Sequence, residues 1–411
     1  MSRRIAVTGL GAVTPLGSGV DRFWNRLCAG QSGVGPITLF DASAFPVRIA
    51  GEVTGFALPA EIDRKRARRL DRYALFGVAA ALQAWRDAGI EDRDPYQSGI
   101  VLGSSHGGEN TALQAAAALG PNPFPKAASP LLIPRMLNNM AAAQAAMLLD
   151  LRGPGFSLSS ACATGGHAIG EASEIIRRGD AEVMIAGAAE ACITPLTLAG
   201  DHALGALSRR NAEPQRACRP FDRDRDGFVL AEGAAVLVLE EREHARKRGG
   251  RVYAELSGYG ATTDGIHETR PEPNGAAAAR AIARALEKSG TEPGEVSAVF
   301  AHAAGTPSGD PAEVRALGAS LGETLTTIPV TAIKSMTGHM FAASGAAQAV
   351  AAVKAIESGS LPPTINCERI VGMEIACVRG EMLRRPLTRV LSNSFGFGGH
   401  NSVLLFAAPM P

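Results

Sequence analysis

Arg4-Ile-Ala-Val-Thr-Gly-Leu-Gly-Ala-Val-Thr14 and Arg251-Val-Tyr-Ala-Glu-Leu-Ser-Gly-Tyr-Gly-Ala-Thr-Thr263 carry one pattern twice in a chain of 411 residues. Each sets Gly-x-Gly-Ala after an apolar run, which reads as a buried strand ending in a glycine turn. A second echo pairs Val101-Leu-Gly-Ser-Ser-His106 with Val299-Phe-Ala-His302-Ala-Ala304. Together the echoes point to an internal duplication, with halves at residues 1–250 and 251–411. Short apolar runs (Ile5 to Val7, Ile100 to Leu102, Val183 to Ile185, Ala234 to Leu239, Val299 to Ala301, Val403 to Phe406) read as buried strands. They alternate with helical stretches at Tyr73 to Ala88, Thr164 to Arg178, Ala276 to Ser289 and Gly345 to Glu357. That alternation predicts a layered α/β fold. No Ser/Pro/Gly-rich linker is long enough to separate independent domains.

The composition, 46% hydrophobic and 20% charged, is that of a globular chain with a sizeable core. With 41 basic and 40 acidic residues the net charge is +1, so nothing global favours nucleic acid or an anionic membrane as partner. The six cysteines show no CxxC pair and no metal-ligand spacing, which reads as a reduced cytoplasmic protein without a metal site. Met1-Ser-Arg-Arg4 could suggest a twin-arginine export signal, but Gly9, Gly11, Pro15 and Gly17 break the apolar stretch behind it. No apolar segment approaches the roughly 18 residues needed to span a membrane.

Ser159-Ser-Ala-Cys162-Ala-Thr-Gly-Gly-His-Ala-Ile-Gly170 puts a cysteine among small residues just before a helical pattern. A helix N-terminus favours the thiolate, and small neighbours let a bulky thioester approach. Most single cysteines are inert, and most single histidines are structural. Here Cys162 is joined by His302 in Ala301-His-Ala-Ala-Gly-Thr306 and by His339 in Lys334-Ser-Met-Thr-Gly-His339. The closing Asn393-Ser-Phe-Gly-Phe397-Gly-Gly-His-Asn401 reads as a glycine-rich loop whose N–H groups could face an oxyanion.

In this order and at these separations the four segments resemble the β-ketoacyl-acyl carrier protein synthases of the thiolase superfamily, most closely the elongating synthase II type. The resemblance runs from Val7 to Leu405 and includes Pro220-Phe-Asp-Arg-Asp-Arg-Asp-Gly-Phe-Val-Leu-Ala-Glu-Gly233. That segment is not a calcium loop, because its twelfth position is Gly233 and not Glu. The resemblance implies a thiolase-like duplicated fold of five layers, αβαβα, and a reaction that needs no metal or redox cofactor, with phosphopantetheine supplied by the acyl carrier protein. It implies an acyltransferase that condenses a Cys162-bound acyl group with a decarboxylating malonyl thioester.

Each role follows the same resemblance. Cys162, in the N-terminal half, takes the acyl chain; His302 and His339, in the C-terminal half, bind the malonyl thioester and stabilise its enolate. The N–H groups of Cys162 and Phe397 form the oxyanion hole, and Phe397 gates the site. Lys334 lies close behind, with Glu313 as its counter-charge. Thr269 and Thr306 hydrogen-bond the pantetheine amides, His106 faces the acyl pocket, and Lys65, Arg68, Arg69 and Lys126 receive the acidic carrier. The resemblance also implies a dimer, either a homodimer or a pair with a chain-length-factor-like subunit.

Five positions depart from the family pattern: Ala303-Ala304-Gly305 where Gly-Thr-Ser is usual, His106 in place of an apolar residue, Arg270 after Thr269, Gln348 for a glutamate, and His400 for a frequent threonine. They bear on the substrate, fatty acyl or polyketide, more than on the reaction. Two other readings remain, a catalytically silent chain-length-factor subunit and a coenzyme A thiolase. The first would lack Cys162, and the second would carry another cysteine near Asn393 to Asn401.

Overall fold

The computed structural model describes residues 3–119 and 129–409. Its main sheet has twelve strands, of which ten matter to the argument: β1 (Ile5–Thr14), β2 (Ser98–Gly103), β3 (Gly155–Phe156), β4 (Val183–Glu190), β5 (Gly233–Glu241), β6 (Ala254–Thr263), β7 (Ala298–Phe300), β8 (Pro329–Thr331), β9 (Arg389–Gly396) and β10 (His400–Ala407). Nine helices matter to the argument: α1 (Arg64–Ala67), α2 (Arg72–Ala88), α3 (Glu109–Leu119), α4 (Met140–Leu149), α5 (Thr164–Arg178), α6 (Ala276–Ser289), α7 (Gly309–Leu321), α8 (Lys334–Thr337) and α9 (Ala342–Ser358).

The strands run in the order β3-β2-β4-β5-β1-β6-β10-β9-β7-β8. From the centre outward each half repeats one scheme. β1 pairs antiparallel with β5, β5 antiparallel with β4, and β4 parallel with β2 and β2 with β3. β6, β10, β9, β7 and β8 pair in the same order with the same senses. The halves join where Ala6 and Val7 of β1 meet Glu255 and Ala254 of β6. α5 and α9 pack on each other and on strands of both halves, α2 covers β1, β5 and β4, and α6 covers β6 and β10. The result is five layers, αβαβα.

The two repeated stretches mark this symmetry, though not as glycine turns. β1 continues through Gly9 and Gly11 to Thr14, and β6 through Gly258 and Gly260 to Thr263. The glycines clear room for a helix: a Cβ on Gly9 or Gly11 would stand 2.1 and 2.0 Å from the carbonyls of Ala84 and Ala80 in α2. On Gly258 or Gly260 it would stand 2.1 and 1.9 Å from those of Ala285 and Ala281 in α6. The echo at Val101 and Val299 falls on β2 and β7, which hold equivalent places in the two halves.

The expected glycine-rich loop Asn393 to Asn401 is instead a hairpin. β9 and β10 pair from Arg389↔Ala407 to Gly396↔His400, and only Phe397–Gly399 forms the turn. Strand pairing reaches to its tip, where Ser394, Phe395 and Gly396 stand opposite Ser402, Asn401 and His400. Among the described residues no helix is long and apolar enough to cross a membrane.

Candidate active site

Cys162 sits two residues before α5, on a turn in which Ala163 N–H donates to Ser160 O at 3.1 Å. Ala161, with φ of 50°, takes a left-handed backbone that an L side chain rarely adopts, and this bend turns Cys162 inward. The hairpin tip closes over it. A Cβ on Gly396 would lie 2.6 Å from Ser160 O and 3.0 Å from Cys162 N, so only glycine lets β9 come this close.

His339 meets the nucleophile directly, with Nε2 3.0 Å from Cys162 Sγ. Its backbone is clamped by Pro220 to Gly233: His339 N–H donates to Val229 O at 2.8 Å, and Ala231 N–H donates to His339 O at 3.0 Å. Ser344 Oγ lies 2.9 Å from Nδ1 and can donate to it or accept from it, so Nε2 can either take a proton from Cys162 or present one. His302 follows β7 by two residues, and its ring stands edge-on to His339 with centroids 5.5 Å apart. Asp222, in the same clamping segment, accepts the N–H groups of Asp224, Glu368 and Arg369 at 2.8 to 2.9 Å, which is the work of a loop fastener.

Lys334, 2% exposed at the start of α8, donates to the carbonyl of His302. Glu313 does not reach its ammonium. Its oxygens accept from the N–H groups of His302 (2.8 Å) and Ala303 (2.7 Å) and from Asn393 Nδ2 (3.0 Å). Glu313 is therefore a counter-charge at a distance and a fastener of the His302 turn. Asp310 plays the same part for the next turn, accepting from Gly305, Thr306 and Phe221 N–H.

Burial decides the charge states. It pushes the Cys162 thiol up to about 12, against the pull of the Lys334 charge and a hydrogen bond from Phe397 N–H. The helix N-terminus and the cation favour the thiolate, but loss of water outweighs both, and the thiol is neutral. Burial, then Lys334, holds both imidazoles well below their usual value, so both are neutral. Lys334 is itself drawn down to about 8 by burial, with Glu313 opposing.

Cys162, His302, His339, Phe397, Thr269, Thr306 and Glu313 line one cavity of about 220 Å³, whose wall also includes Arg270, Phe228 and Phe341. Lys334 lies behind it. His106 does not line it: its ring packs edge-on against Phe341 at 5.2 Å, and Phe341 stands between it and the cavity. Lys65, Arg68 and Arg69 are exposed on and beside α1, away from the cavity wall. Lys126 lies outside the described residues. Gln348 is buried in α9, where Nε2 donates to Phe300 O and Asn393 O, both at 2.8 Å, and to Ser392 Oγ at 3.1 Å. His400 sits beside His167, whose imidazole burial lowers to about 4.

Sequence reasoning missed Ser344, Asn393, Asp310 and Phe341 as parts of this site. Asn393 opens a segment quoted above and Asp310 lies three residues before Glu313, but nothing in a sequence says which backbone they fasten. Phe341, with φ of 42°, announces itself only in three dimensions.

Two family models match the chain: "Beta-ketoacyl synthase, N-terminal domain" over residues 2–245 and "Beta-ketoacyl synthase, C-terminal domain" over residues 253–368. A curated protein named 3-oxoacyl-[acyl-carrier-protein] synthase 2, from Coxiella burnetii, is 43% identical over 408 residues, covering 98% of each chain. A solved structure described as a type II PKS acyl-carrier protein in complex with its ketosynthase bound to the hexaketide has a TM-score of 0.93 at 33% identity, covering 100% of both chains. The ishigamide ketosynthase/chain length factor has a TM-score of 0.92 at 32% identity, again over 100% of both.

Proposed function

The chain belongs to the β-ketoacyl synthase family, and on that footing we propose that it elongates an acyl chain held on Cys162 by decarboxylative condensation with a malonyl thioester on an acyl carrier protein. The observation that carries this reading is the contact of Cys162 Sγ with His339 Nε2 at 3.0 Å, beside a second neutral imidazole, in one cavity.

In the first half-reaction Cys162 Sγ attacks the carrier-bound thioester. Its proton passes by way of His339 to the departing pantetheine thiol, and a new thioester forms on Cys162. The tetrahedral oxyanion lies between the N–H groups of Cys162 and Phe397. In the second, the malonyl thioester occupies the cavity with its carbonyl toward His302 and His339. Two neutral imidazoles donate hydrogen bonds to that oxygen as the C–C bond breaks and carbon dioxide leaves. The enolate carbon attacks the Cys162 thioester, and the thiolate that departs is reprotonated. Burial, helped by the Lys334 charge, keeps both imidazoles neutral, hence able to accept and donate in turn.

Thr269 and Thr306 line the cavity, which supports a role for them in holding pantetheine, and Arg270 adds an exposed cation to its wall. The Lys65, Arg68 and Arg69 face suits an acidic carrier. Exposed Ile133, Leu137, Met147 and Phe156 lie around α4 and the unpaired edge of β3, which supports pairing with a second subunit there. Cys162 argues against a silent chain-length-factor role. The test is carbon dioxide release from malonyl carrier by His302→Ala and His339→Ala: a loss of about 10²-fold or more is expected for each. Release at the parent rate in both variants would refute the assignment.

A further inference from the structure

The cavity that holds Cys162 has an exposed end and a buried one. Leu204, Arg270, Pro307 and Ser308 on its wall are exposed, whereas Cys162, His339, Phe228 and Phe341 are buried. A pantetheine arm enters from solvent past the first group, so the acyl group it delivers to Cys162 extends toward the second. Phe228 and Phe341 supply the apolar surface there, packed in one cluster with Cys162.

Phe341 is held in an unusual way. Its backbone, at φ 42° and ψ −116°, lies where L side chains are rarely found and glycine moves freely. Such a conformation persists only where the surroundings over-determine it. Three rings do so here. His339 stacks on Phe341 at 5.0 Å with 17° between the planes, while Phe228 and His106 meet it edge-on at 5.6 and 5.2 Å. Along the chain, Ser344 N–H donates to Phe341 O at 3.0 Å, and Ser344 Oγ sits 2.9 Å from His339 Nδ1. The turn that strains Phe341 therefore also seats the catalytic imidazole, and the ring does not turn aside without leaving His339 and Phe228.

This wall stands close to the nucleophile. Cys162 Sγ is 3.0 Å from His339 Nε2, and the Phe341 ring is one stacking distance beyond. An extended chain advances roughly 1.2 Å per bond and stops about 3.5 to 4.0 Å short of an aromatic carbon, so one that heads for Phe341 meets it after about four carbons. A longer chain has to push the ring into His106, whose Nδ1 is already engaged by Ser105 Oγ at 3.1 Å. We propose, resting on the condensation reading above, that Phe341 is the end wall of the acyl site and restricts Cys162 to short straight acyl chains.

The test loads the full-length enzyme from butanoyl and decanoyl thioesters of pantetheine and follows acylation of Cys162 by intact mass, with malonyl-carrier decarboxylation measured in parallel. The readout is the ratio of the two loading rates, in which a general loss of activity cancels. The parent is expected to load butanoyl at least tenfold faster than decanoyl. Phe341→Gly, which suits the positive φ and removes the ring, should reduce that ratio at least fivefold, and Phe341→Leu should reduce it in the same direction. A parent that loads decanoyl as fast as butanoyl would overturn the proposal whether or not the variants fold. So would a ratio left unchanged by Phe341→Gly, or by Phe341→Leu if the glycine variant does not fold, since a residue that only packs would slow both chains alike. If neither chain loads on Cys162 and malonyl carrier is not decarboxylated, the condensation reading itself has failed, a result separate from a flat chain-length profile.

Discussion

Replacing Gln348 by Met tests how the two halves of the catalytic centre are tied together. The side chain of Gln348 bridges Phe300 O, at the end of the strand leading to His302, and Asn393 O, whose own side chain holds Glu313. Methionine keeps the length and flexibility but removes both donors, leaving two buried carbonyls unpaired at about 1 to 3 kcal/mol each. Against this, Gln348 Oε1 is buried without a partner, and removing it returns roughly 1 to 2 kcal/mol. The net expectation is a loss near ~3 kcal/mol. Urea denaturation of parent and variant at one fixed protein concentration measures it, and malonyl decarboxylation should fall as His302 loosens. Unchanged or increased stability would mean that these hydrogen bonds do not hold the site, and the reasoning would be wrong.

Gly258→Ala should cost more than an ordinary strand substitution and leave little soluble protein, since its Cβ would stand 2.1 Å from Ala285 O; thermal melting and expression yield report it. Charge reversal at Lys65 and Arg68 should slow turnover with carrier-bound substrates and flatten its salt dependence, while small pantetheine thioesters react nearly as before. Equal losses with both substrates would make these residues structural. Acidification should destabilise the protein as pH falls through 6.5, because buried His302 and His339 stay neutral when folded and gain protons only when unfolded. The slope is at most ~1.4 kcal/mol per pH unit for each imidazole. Below about 6 the loss is partly offset by Asp310 and Asp201, whose folded values of about 6 mean that they bind protons earlier in the folded state. Urea midpoints across pH 5 to 8 that rise on acidification would contradict this.

The strands and helices with strong periodicity were legible because each buries an apolar face: α5 and α6 begin and end where the pattern says, and β2, β4, β5, β7 and β10 fall on their apolar runs. What misled was glycine. Gly9, Gly11, Gly258 and Gly260 look like turn residues, yet their purpose is to let a helix backbone approach, a tertiary fact with no local signature. Phe397-Gly-Gly399 likewise made the whole terminal segment look like a loop when only its tip is one. In the site, Cys162, His302 and His339 could be picked out by residue type and by resemblance. The neutral state of the thiol could not, since it depends on how completely the fold excludes water from Cys162. His106 was recognisable as unusual, but its carboxylate partner Glu190 lies 84 residues away and only the β2–β4 pairing brings them together.

The most direct measurement is intact mass of the enzyme after incubation with an acyl carrier, followed by addition of malonyl carrier. The account predicts one acyl adduct, located on Cys162 and absent from Cys162→Ala. It also predicts that malonyl carrier discharges that adduct, with carbon dioxide release and formation of a β-ketoacyl carrier two carbons longer. An adduct on another residue, a stable adduct on the alanine variant, or discharge without chain extension would contradict it.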